Sequence, residues 1–82
     1  MANRMMLVCL FLVSHAYAGD EAWLSHYIAA EKAFSEKNGA VAVEEYTKAI
    51  QLAPEKLFLY LERARTYEKK HKYAEAIHDF TK

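Results

Sequence analysis

NGAVAVEEYTKAIQLAPEKLFLY, residues 38–60, decides how this chain reads. Asn38-Gly39 is a helix stop, glycine tolerating a left-handed backbone where other residues would be strained. A helix over 40–52 follows, in which Val43, Tyr46, Ala49 and Ile50 recur three and four apart on one stripe. Glu44 and Lys48 lie four apart in the favourable orientation on its wet side. Pro54 lacks an amide hydrogen and biases Ala53 away from helix, so a new helix begins just beyond it. Alanines stand where a self-sufficient small core would want larger side chains. The stretch therefore predicts close helix-on-helix contact.

The same pattern extends outward. Upstream, Asp20 is placed to cap a helix over 21–37. Downstream, a helix over 55–70 carries Tyr60, Ala64 and Tyr67 on one face, with Phe58, Leu61 and Arg65 turned partly elsewhere. Lys69-Lys70-His71-Lys72 form a polar turn, and a last helix starting near Tyr73 turns Ala76, Ile77 and Phe80 inward. A shift of 34 residues lays Ala30 on Ala64, Gly39 on Tyr73, Ala42 on Ala76, Val43 on Ile77 and Tyr46 on Phe80. These matches fall at helix–helix contact positions. Small residues admit a neighbouring helix, and the aromatic ring four residues later fills the space beside it.

These positions resemble the tetratricopeptide repeat (TPR) family. Tyr60, Arg63, Ala64 and Tyr67 stand at its first-helix places, followed by Ala76 and Phe80. Ala42, Tyr46, Ala49 and Pro54 match its second helix one repeat earlier. The earlier first helix departs from the pattern, with His26 at the large-residue place, Ala29 and Ala30 next, and Ala33 for the usual tyrosine. The resemblance implies an all-α fold of antiparallel hairpins stacked as a short TPR-like solenoid, with repeats over 23–56 and 57–82, the second incomplete. It also implies a concave face of first helices that binds a peptide or partner protein. On that face fall Leu24, Tyr27, Glu31, Phe34, Phe58, Leu61, Arg65 and Glu68, a mixture suited to a peptide with apolar anchors and one or two charges. Phe34, Phe58 and Leu61 can equally be read as contacts between neighbouring repeats.

Residues 1–18 read as a secretory signal peptide. Arg4 precedes nine apolar residues over 5–13, and Ala16-Tyr17-Ala18 supply a small-residue cleavage site before Gly19. The apolar run is too short to cross a hydrocarbon core of about 30 Å, so no stable membrane insertion is expected once it is cut. The domain is then 19–82, and a secreted or periplasmic destination follows. Cys9 and Arg4 leave with the signal. The remainder has no cysteine and one more acidic than basic residue, which gives no reason to expect nucleic acid as a partner.

Enzymatic chemistry finds no footing in the sequence. Ser25 and His26 are adjacent and point about 100° apart on a helix. With glycine only at 19 and 39, no phosphate-binding loop can be built in that domain. His71, Glu75 and His78 have ligand-like spacing, but His71 belongs to the turn and the other two to the outward side of the last helix; no metal or cofactor is expected. The expected function is an exported, non-enzymatic protein-interaction module. Self-association through Tyr73, Ile77 and Phe80 is also expected, because that edge is left partly uncovered. The alternative is an N-terminal structural piece of a longer repeat protein with no binding activity of its own.

Overall fold

In a computed structural model of the protein, residues 21–82 are described. The signal segment and the Asp20 cap lie outside the described residues. The described residues form four helices: α1 over 21–35, α2 Gly39–Leu52, α3 Leu57–Lys69 and α4 Tyr73–Phe80.

The turns after α1 and α3 are copies of one another. Lys37 and His71, one repeat apart, both take a left-handed backbone with φ 61°. The amide of Asn38 donates to the Ala33 carbonyl at 2.8 Å, and Lys72 to Tyr67 at 2.8 Å. Lys37 donates to Phe34 at 3.0 Å and His71 to Glu68 at 2.9 Å, which closes both helix ends in the same way. The left-handed residue is thus Lys37, and Gly39, with no positive φ, opens α2 instead. What Gly39 provides is room: a Cβ there would stand 3.0 Å from Cγ and Cδ of Lys70. Between α2 and α3, Ala53 donates to the Ala49 carbonyl at 2.9 Å before Pro54 stops the ladder.

The interior is built on alanine. Ala30, Ala42, Ala49 and Ala64 are wholly buried, Ala76 nearly so, and among the described residues only Tyr46 and Leu59 add large apolar side chains buried as completely. Tyr46 packs with Ala30, Ala33 and Ala42, while Leu59 packs with Ala49, Ile50 and Ala53. Tyr27 lies against both groups. Ala76 and Asp79 are the buried residues of α4, whereas Ile77 and Phe80, expected inward, are 62% and 44% exposed.

Asp79 sits in the helix interface because Arg63 meets it there. The guanidinium donates from Nε to Oδ2 at 2.7 Å and from Nη2 to Oδ1 at 2.8 Å, and its Nη1 reaches Thr47 Oγ1 at 3.1 Å. One side chain of α3 thereby ties α4 to α2. Glu45, one repeat before Asp79, is likewise held by the helix before it, with His26 Nδ1 at 2.7 Å. That hydrogen bond, and then the charge of Lys48, hold the Glu45 carboxyl below its usual range.

The expected short TPR-like solenoid is corrected: the chain forms a compact four-helix bundle and not an elongated array. The reason is one of proportion. A helix of 14 residues is about 21 Å long, and α4 has only 8 residues; with helices about 10 Å apart, two hairpins laid against each other are about as thick as their helices are long. Trp23 and Tyr27 of α1 also pack into the group around Leu59, so one core spans the proposed repeat boundary.

Asp79 is 1% exposed and its partner side chain 16%. Asp79→Ala strands the guanidinium in the interface and is expected to cost about 3 kcal/mol in urea unfolding. Replacing both partners with Met at 63 and Leu at 79 is expected to restore most of that loss.

Candidate functional site

The residues expected on the α1–α3 face are brought together in part. Tyr27 is half-buried, its ring 5.5 Å from Phe58 at 84°, 6.1 Å from Trp23 and 6.3 Å from Tyr46. Trp23 meets Phe58 edge-on at 5.7 Å, and Lys56 Nζ stands 4.7 Å above the indole. Phe58 thus serves as a contact between α1 and α3 while keeping 40% of its surface exposed. One turn along α3, Leu61 is 43% exposed, and Leu24 on α1 is 40% exposed. These three apolar side chains flank the aromatic cluster.

Phe34 goes elsewhere. It packs on the Ala30–Tyr46 group and lines a recess of about 470 Å³ with Thr66, Gly39 and the stems of Lys69 and Lys70. Arg65 and Glu68 are exposed on α3, Arg65 lying 3.4 Å from Glu62.

Glu31 is the charged centre of this face. It accepts the Tyr46 hydroxyl at 2.6 Å, and its charge acts on Glu62 of α3. Burial, and then the Glu31 charge, push the Glu62 carboxyl above its ordinary range; Arg65 pulls the other way. Burial likewise raises the Tyr46 hydroxyl, reinforced by its hydrogen bond to Glu31, and it raises Tyr27 beside both carboxylates. Sequence reasoning missed Glu62, since the residue one repeat earlier is Ile28 and nothing in the spacing flags an acid there. It also missed Trp23 as part of the cluster, although a lone tryptophan near the start of a helix is a detectable signal.

The second exposed surface is on α4. Tyr73, Ile77 and Phe80 are 55%, 62% and 44% exposed and lie on one side of the helix. The hydroxyl of Tyr73 is 2.9 Å from Nδ1 of His71. Among the described residues no group of three His, Cys, Asp or Glu could hold a metal, and no helix is long and apolar enough to cross a membrane. Compared with family models, curated proteins and solved structures, the chain matches none.

Because the folded state holds the Glu62 proton more tightly than the unfolded chain, Glu62 contributes stability that is complete below its unfolded value. That contribution is lost as pH rises through the folded one. Glu62→Gln keeps the shape of the side chain and removes its charge. The variant is expected to exceed the parent in urea midpoint at about pH 7, with the gap closing towards about pH 4.

Proposed function

We propose that the bundle is an exported, non-enzymatic protein-interaction module that takes a partner protein or peptide on its α1–α3 face. The observation that carries this is the exposure of Leu24, Phe58 and Leu61 around a fixed cluster of aromatic rings. Apolar side chains at the edge of a rigid aromatic group lose little conformational freedom when covered, and such residues dominate the energetics of interfaces. Glu31 and Glu68 add acceptors and Arg65 a donor at the rim, which favours a peptide bearing both an apolar anchor and charge. Export rests on the order of charge, apolar run and cleavage site over 1–18. The α4 face supports a second role, self-association through Tyr73, Ile77 and Phe80.

Affinity capture from the exported fraction, with the chain as bait and a Leu24→Ala/Leu61→Ala double variant beside it, tests the first role. Binding is expected to weaken roughly tenfold or more in the variant, with its helical circular dichroism intact. Retention of every partner by the folded variant would show that the binding surface lies elsewhere.

A further inference from the structure

The chain contains its own example of how a face like that of α4 is covered. One repeat before Tyr73, Ile77 and Phe80 stand Gly39, Val43 and Tyr46 on α2. There α3 closes over the helix. The Lys70 stem runs against Gly39, Glu62 lies close to Tyr46, and Arg63 bonds to Thr47. With α1 packed on its other side, Tyr46 is 1% exposed, while its counterpart Phe80 is 44% exposed.

The helix one repeat before α3 is α1, and no described element covers its corresponding face. Ile28 stands in the place of Glu62, Ala29 in that of Arg63 and Glu36 in that of Lys70. Ile28 is 59% exposed, and Glu36 is also exposed. From this correspondence we infer that α1 of a second copy of this chain docks on α4, in the manner in which α3 docks on α2. The inference deepens the self-association assigned to α4 and rests on that reading.

The chemistry of the two faces matches. Ile28 of the second copy takes the position near Phe80 that Glu62 holds near Tyr46, so an apolar side chain meets a ring that carries no hydroxyl. Ile77 comes to lie under the same helix, in the place of Val43. Glu36 replaces Lys70, and at its new position it meets the start of α4 beside Lys72 and the free amides of the first turn. An acid suits that environment, and the lysine it replaces would not. Ala29 clears the space beside Thr81 that Arg63 fills beside Thr47. Lys32, in the place of buried Thr66, must carry its ammonium to the rim on its long stem, which keeps the contact weak. Because the two faces differ, the contact is heterologous: each copy offers one of each, and further copies can add to either end.

Ile28→Glu and Ile77→Glu test this in the full chain, expressed with its leader in a secretion-competent host and followed by sedimentation over a range of concentration. The parent is expected to gain mass with concentration and to pass beyond a dimer. Each variant alone is expected to associate about a hundredfold more weakly, because a buried, unpaired carboxylate faces the neighbouring copy. Mixed in equal amounts, the two variants are expected to form a one-to-one pair and no more, since the first keeps an intact α4 face and the second an intact α1 face. Both positions are more than half exposed, so the fold is expected to survive; if circular dichroism shows otherwise, serine at each position repeats the test. Undiminished association of Ile28→Glu would overturn the inference in favour of two α4 faces pairing with each other. Inert mixtures would overturn it as well. A parent that stays monomeric removes self-association altogether, yet leaves partner capture sensitive to Leu24 and Leu61 standing, so the two failures are separable.

Discussion

Close approach of helices at alanine is the constraint on which this bundle depends. Ala30 and Ala42 let α1 and α2 meet, and Ala64 and Ala76 do the same for α3 and α4. At such contacts a larger side chain has no empty volume to enter, so the backbone itself would have to move apart. With the helices this near, few large residues are needed between them, and Tyr46 and Leu59 suffice as plugs. The turn geometry follows from the same demand. Lys37 and His71 adopt one backbone conformation because both must return the chain to a partner at alanine distance.

Polar groups inside the bundle serve that geometry. Asp79 and Glu45 occupy equivalent places, and each receives a basic side chain from the helix before it, Arg63 in one case and His26 in the other. The donors come from different positions: His26 corresponds to Tyr60, and Arg63 to Ala29. What is repeated is therefore the acid and its location, while the partner is supplied by whichever neighbouring position can reach it. Arg63 adds its bond to Thr47 and so orders α4 and α2 about α3 at once. The Glu31–Glu62 approach has no counterpart in the second hairpin and works against folding at neutral pH, a cost that Tyr46 and Arg65 offset by donating to one carboxylate each.

Much of this was legible in the sequence, because alanine spacing and proline position act locally. The helices, the buried stripe of Tyr46, Ala49 and Ile50, and the turn before Tyr73 all follow from periodicity and chain-breaking residues. Three features were not legible, each for a physical reason. The left-handed residue after α1 was expected at glycine, but hydrogen bonding at the helix end placed it at Lys37 while close approach to Lys70 claimed Gly39. Asp79 reads as a surface acid until its partner sixteen residues away is known to face it. For Ile77 and Phe80 the partly uncovered edge was legible but its extent was not, because helical spacing marks an apolar side without showing how much of it a neighbour covers. The site was legible as a set of residue types on α1 and α3; Phe34 left that set by packing towards the recess at the other end.

Interior and surface are linked through the distribution of apolar mass. Most of the fully buried apolar residues are alanines, whereas Ile28, Leu57 and Ile77 are each more than half exposed. Burying an aliphatic side chain of that size is worth about 1.5–3 kcal/mol, and an alanine contributes far less. A large share of the hydrophobic contribution available to the described residues is thus held on the outside. Whatever covers them binds the folded form and not the unfolded one, so it adds to folding stability by mass action. Helices that fit together closely enough to need only alanine between them leave their larger side chains free for a neighbour, and the economy of the core and the adhesiveness of the surface are then two results of one packing choice.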